Sequence, residues 1–346
     1  MSVFSSPIIK WLAAGGLLAA LVLAISGPRT VWEDKQAEAK EASPAYATRM
    51  VELIAAMHDY AQKQHDGFLF LSNGGTSLFL PVDGNTEENA KKLAASVDGV
   101  LAESVFFGWD DKAGKETPKE ERGWFERTLG AAQDFSLPVF TLDYLKGSRH
   151  EAEAYAKYAK YGYVGWASFD RQLTTVPDEE PYAANTADVR TLQDVQNFLV
   201  LLNPMHYHTK ADYLAALAAT DYDLLIIDPY YGGAVLTPAD LGQLRHKAHG
   251  GRRLVLAYLS VGEAEPYRPY WQPKWKQEPP AWLAARNETW GSYKVRYWEP
   301  EWQAILYGKP TSGLDQIIRA GFDGAFLDVI DAYLYFQDSQ KDAKGV

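Results

Sequence analysis

The stretch Gly321-Phe-Asp-Gly-Ala-Phe-Leu-Asp-Val-Ile-Asp-Ala-Tyr333 decides the fold. Gly321 breaks the helical pattern before it, and the short apolar run Ala325-Phe326-Leu327 reads as a buried strand. Asp328 stands where that strand ends, with Asp331 and Tyr333 just beyond. A carboxylate ending a buried strand is costly unless it is paired or used. In a parallel barrel, catalytic groups collect at strand C-termini.

Seven further apolar runs end in the same way. Residues 68–71 lead into Ser72 and Asn73, 99–102 into Glu103, and 138–142 into Asp143 and Tyr144. Residues 163–167 stop at Ser168, 197–202 at Asn203, and 224–227 at Asp228. The run 254–259 is followed by Glu263 and Glu265. Helical spacing falls between the runs, at 46–65, 86–96, 123–134, 149–160, after Thr209, from Thr237-Pro238 to Gly250-Gly251, and at 302–307 and 314–319. A polar stretch without periodicity runs from about 170 to 188, and a Trp- and Pro-rich excursion from 266 to 300. Eight short strands alternating with helices give an α/β fold, and the count favours a closed (β/α)8 TIM barrel over residues 46–346. The alternative is a doubly wound open sheet, but no GxGxxG follows a strand to mark a dinucleotide site.

The N-terminus reads differently. Trp11 to Ile25 is an uninterrupted apolar run preceded by Lys10, and Ala24-Ile25-Ser26 has the small-x-small form of a cleavage site. Residues 1–26 therefore read as a signal peptide or a membrane anchor, with the bulk of the chain exported. The expected location is periplasmic or extracellular, with a tether through residues 11–25 if the leader is retained. Residues 27–45 read as a polar linker.

Composition narrows the chemistry. The net charge of −11 argues against a nucleic-acid partner and suits a neutral or cationic substrate. The absence of cysteine removes disulfides and thiolate chemistry. Aromatic residues make up 13% of the chain, as expected where sugar faces pack on flat rings. The strand-end acids would all face one mouth, and two carboxylates across a sugar can hydrolyse a glycosidic bond. Each acid taken alone fits a structural pair or a loop cap equally well. His206 and His208 resemble a barrel metallohydrolase pair, but the other histidines fall on predicted helices or their caps, so neither a metal nor another cofactor is expected. Ser168 and Ser260 lack a histidine partner for a serine triad.

Longer motifs carry a family resemblance. Tyr258-Leu-Ser-Val-Gly-Glu-Ala-Glu-Pro-Tyr-Arg-Pro-Tyr-Trp271, Lys294-Val-Arg-Tyr-Trp298 and the 321–333 stretch resemble glycoside hydrolase family 114, the endo-α-1,4-polygalactosaminidase-like barrels. Shorter matches at Ser72-Asn73-Gly74, Ala102-Glu103, Leu142-Asp143-Tyr144 and Ile227-Asp228 extend the resemblance over 46–336. The halves stand in the opposite order from many family members, so the chain resembles a circular permutation. Helix 46–65 should then pack beside strand 325–327. The resemblance implies an exported hydrolase of α-linked amino-sugar (galactosaminogalactan-like) polysaccharide. Asp328 is implied as nucleophile or base and Glu103 as general acid/base. Asn73, Asp143, Tyr144, Asp228, Glu263, Glu265, Arg268 and Asp331 are expected to hold the sugar or tune the pair. Tyr270, Trp271 and Trp298, with Trp109 and Tyr230, are expected to stack on it. The alternative function is a non-catalytic carbohydrate-binding barrel of a polysaccharide export or assembly system.

Overall fold

The computed structural model describes residues 46–82 and 84–344. The predicted leader and linker, 1–45, lie outside the described residues. No helix among the described residues is long and apolar enough to cross a membrane.

Eight parallel strands form one sheet. They are β1 (Leu69–Asn73), β2 (Gly99–Glu103), β3 (Val139–Tyr144), β4 (Val164–Ser168), β5 (Phe198–Leu201), β6 (Leu224–Ile227), β7 (Leu254–Ser260) and β8 (Gly324–Asp328). Their spatial order is β4-β3-β2-β1-β8-β7-β6-β5, so chain neighbours are sheet neighbours throughout, with β8 laddered to β1. The helices are α1 (Tyr46–Gln64), α2 (Glu87–Ala94), α3 (Lys119–Asp134), α4 (Glu151–Tyr161), α5 (Lys210–Ala218), α6 (Pro238–Leu244), α7 (Pro300–Leu306), α8 (Gly313–Ala320) and α9 (Ala332–Lys344). This is a (β/α)8 barrel, nearly closed, and it sets aside the open-sheet alternative.

Local sequence sets most boundaries. Thr86, Thr209 and Thr237 each accept a hydrogen bond from the backbone N–H three residues on, which fixes the starts of α2, α5 and α6. Gly321 ends α8 at φ 90°, a left-handed conformation open to glycine. Along α1, Met50, Leu53, Ile54, Met57 and Ala61 form one fully buried stripe. Each large apolar side chain so buried contributes about 1.5–3 kcal/mol. Three boundaries depart from expectation. α3 starts earlier, at Lys119, with Pro118 at its cap. α6 stops at Leu244, because beyond it Lys247 turns in to pair with the buried Asp223 at 2.7 Å. The excursion after β7 forms a three-stranded antiparallel ribbon of Glu263–Ala264, Tyr293–Val295 and Leu283–Arg286.

Two junctions matter for the site. α1 packs against α8, α2 and α9, which puts it over the β8–β1 junction as that strand pair's covering helix. At the opposite junction, β4 and β5 lie side by side without a ladder among the described residues, closed instead by Phe198 against Trp166 and Phe140. The connection 169–197 contains no α-helix, so this seam lacks the cover that the rest of the barrel has.

The β8–β1 ladder tolerates no added bulk. A Cβ on Gly324 would lie 2.3 Å from the Leu69 carbonyl oxygen. Gly324→Ala is expected to destabilise the fold by at least about 2 kcal/mol in denaturant unfolding. Gly130→Ala in α3 meets nothing within 4 Å and should stabilise by about 0.5–1 kcal/mol. Equal stability of the two variants would contradict this packing.

Candidate active site

Parity along the strands decides which strand-end residues enter the mouth. Asn73, Glu103, Tyr144 and Asp328 all point inward, where they meet. The Asn73 side-chain amide donates to Glu103 Oε1 at 3.1 Å and to Asp328 Oδ1 at 2.8 Å from the same nitrogen. The nearest oxygens of the two carboxyl groups are therefore no more than about 6 Å apart, within reach of a single sugar. Tyr144 donates to the other Glu103 oxygen at 2.6 Å, and Tyr258, inward on β7, donates to Asp328 Oδ2 at 2.9 Å. Both acids are 3% exposed, so desolvation dominates their titration. Burial pushes Glu103 up to about 8, with Asp328 adding to the rise and the Tyr144 and Asn73 hydrogen bonds opposing it. Burial pushes Asp328 up to about 7, held lower by hydrogen bonds from Asn73, Tyr258 and the Val329 backbone.

The backbone repeats itself after each of these residues. Gly74, Ser104 and Val329 follow Asn73, Glu103 and Asp328, with φ of 70°, 54° and 60°. Left-handed backbone is ordinary for glycine but strained for a β-branched valine, and such strain gathers at functional sites.

A second polar cluster flanks the pair. Arg268 grips Asp228 with two nitrogens at 2.9 Å and Glu265 through Nε at 2.6 Å. Glu265 also accepts from Tyr267 and, at 3.4 Å, from Tyr258, which ties this cluster to Asp328. Tyr270 accepts from the Glu265 backbone N–H at 2.8 Å. Tyr230 lies under the Arg268 guanidinium at 5.3 Å, and its N–H caps Asp228. Glu263 is buried against Lys294, Ser292 and Asn287. Asp331 is half-buried beside Gly74, and burial raises it to about 6, with Lys294 opposing.

Four predicted contacts sit elsewhere. Asp143 has the opposite parity to Tyr144. It accepts from the Phe106 and Phe107 N–H groups at 2.9 Å, so it fixes the loop after β2 and does not face the mouth. Trp298 is turned to the barrel flank, against Tyr46 and Phe336 and under Arg49. Trp271 stacks on Tyr293 at 4.9 Å within the excursion. Trp109, 8% exposed, forms the short turn after β2. Among the described residues, no group of three His, Cys, Asp or Glu side chains could hold a metal, and His206 and His208 acquire no third partner.

Two site residues lay beyond sequence reasoning. Tyr258 is mid-strand, and only the β7–β8 register brings its hydroxyl to Asp328. Arg171, from the loop after β4, lies 4.4 Å over the Tyr144 ring, pairs with Asp111, and lowers the Glu103 pKa. Its position in an aperiodic loop gave no signal.

The raised pKa values have a stability consequence. Unfolded carboxyls ionise near 4, whereas folded Glu103 and Asp328 keep their protons to about 8 and about 7. The folded state then binds more protons between those limits, so stability falls as pH rises through the interval. Glu103→Gln and Asp328→Asn should each raise stability at pH 8, on the order of a few kcal/mol, and change it little below pH 4. Thermal unfolding across pH 4–8 checks this, and a gain independent of pH would refute it.

Residues 179–345, which carry β5 to β8, match glycoside-hydrolase family GH114. An uncharacterized protein of Deinococcus radiodurans is 42% identical over 121 residues, 35% of this chain and 37% of that one. An uncharacterized protein of Methanocaldococcus jannaschii is 36% identical over 127 residues, 36% of this chain and 35% of that one. One from Thermotoga maritima is 42% identical over 82 residues, 23% of this chain and 24% of that one. The chain thus spans about a third or less of the length of the curated relatives it matches. What the chain is similar to, through residues 179–345, is glycoside-hydrolase family GH114.

Proposed function

We propose that this protein is a glycoside hydrolase that cleaves α-linked amino-sugar polysaccharide with Asp328 and Glu103. The observation that carries this reading is the single Asn73 amide bridging both carboxyls, which keeps their nearest oxygens within about 6 Å and so supports a double displacement. Protonated Glu103 gives its proton to the leaving glycosidic oxygen while Asp328 attacks the anomeric carbon. Water then releases the glycosyl group from Asp328, with Glu103 taking the proton back. Asn73 and Tyr258 stabilise the Asp328 carboxylate, and burial keeps Glu103 protonated near neutrality. Two carboxylates, Asp228 and Glu265, share the single Arg268 cation beside the pair, and that surplus of negative charge supports a cationic, partly deacetylated substrate. The binding-only alternative has no comparable use for a bridged carboxyl pair.

The chain order belongs to the same proposal. The family match covers the half that carries Asp328 and omits the half that carries Glu103. A circularly permuted barrel would give such a match, and α1 over the β8–β1 junction supports it. The apolar run 11–25 supports export, to the periplasm or beyond.

Reducing ends released from α-1,4-linked galactosamine polymer test the activity. Asp328→Asn and Glu103→Gln should each lower kcat by at least about 100-fold. Binding with no turnover by the wild type would favour the alternative. The pH profile of kcat/KM should be bell-shaped, with apparent limbs near about 7 and about 8 that belong to the pair. The first-formed product should keep the α configuration by NMR, and an inverted product would remove the double displacement.

A further inference from the structure

The uncovered seam between β4 and β5 is a cavity of about 790 Å3. Its walls are α4, β4 and the helix-free connection 169–182. This frame is fixed at both ends. At the upper end, Asp170 accepts from Thr174 and from the Gln172 N–H. At the lower end, Asn185 bonds both buried Asp223 and Lys247. Tyr155 and Tyr182 stack at 4.1 Å on its rim, and Tyr182 stays 57% exposed, with Trp166 on the wall between them and the barrel. Glu151, Asp178, Glu179 and Glu180 also line it, and none of them takes part in an ion pair among the described residues. Among the described residues, no lysine, arginine or histidine lines the cavity. The upper end, at Phe169 and Asp170, adjoins Arg171, which lies over Tyr144 beside Glu103.

We propose that this seam cavity is a second carbohydrate site, which takes a cationic amino-sugar unit of the same chain whose bond lies in the mouth. The outer face of the exposed Tyr182 ring, backed by Tyr155, accepts the apolar face of a pyranose, and the unpaired carboxylates around it select a ring bearing an ammonium over one bearing an acetamide. The proposal rests on the amino-sugar reading for its ligand, but not on the catalytic pair. It explains why the barrel leaves one seam without a helix. A helix there would fill the cavity.

The test is titration calorimetry of the full chain, in an Asp328→Asn background to stop turnover, with an α-1,4-linked galactosamine oligosaccharide. Tyr182→Ala and, separately, Glu179→Gln with Glu180→Gln should each weaken one binding event by at least about tenfold. In the active protein the same changes should raise KM for polymer and leave hydrolysis of a short aryl galactosaminide unchanged. The fully N-acetylated oligosaccharide should bind the seam at least about tenfold more weakly. Isotherms unaffected by both sets of substitutions would overturn the site. So would oligolysine binding as tightly as the sugar with no effect of Tyr182→Ala, since the surface would then attract cations without reading a ring. If the wild type hydrolyses nothing yet the seam variants lose galactosamine binding, the second site stands and the hydrolase reading fails. Hydrolysis with no seam-dependent binding gives the reverse.

Discussion

One side-chain amide organises this molecule. Asn73 ends β1, between the strands that end in Glu103 and Asp328, and its nitrogen donates to both. Two carboxyl groups buried this close repel when both ionise, and each is costly to desolvate. A shared donor, with Tyr144 on one acid and Tyr258 on the other, offsets part of that cost while fixing the distance. The unequal surroundings also separate the two titrations, and that lets one acid keep a proton while its neighbour gives one up.

The barrel serves this arrangement through repetition. Three adjacent strands end at the same height, and each turns away through a left-handed residue directly after its functional side chain. At Gly74 the turn is unstrained, but at Val329 it is imposed on a β-branched residue. Val329 is locked from outside, since Gly262 approaches so closely that a Cβ there would lie 2.2 Å from the Val329 carbonyl oxygen. The glycine in the Ser260-Val-Gly-Glu263 segment thus supports the carboxylate from the neighbouring strand.

Much of this was legible because buried strands that end in carboxylates are rare without a purpose. The eight apolar runs, their order and the placement of Asn73, Glu103, Tyr144 and Asp328 at strand ends follow from local pattern. What pattern cannot decide is parity at a strand end, where a shift of one residue changes the face. Asp143 and Tyr144 were equal candidates in sequence, and the strand turned Tyr144 inward and Asp143 onto the loop backbone. Trp298 was misplaced for a related reason, since an aromatic in a long excursion gives no sign of which flank it will cover. Tyr258 and Arg171 acquire their roles only through strand register and loop path, both set by long-range packing.

The neighbours α1 and β8 have a consequence for how the molecule is made. The first described helix and the last described strand are far apart in sequence, yet α1 packs on α8 and α9, the helices on either side of β8. Their union closes the longest loop in the fold, so its entropy cost falls late and contact order is high. During synthesis α1 can pack on α2 early, but the part of its apolar stripe that faces α8 and α9 stays uncovered until those helices have emerged. The two carboxylates can therefore meet only once β8 has been made, and until then α1 depends on whatever shields that stripe.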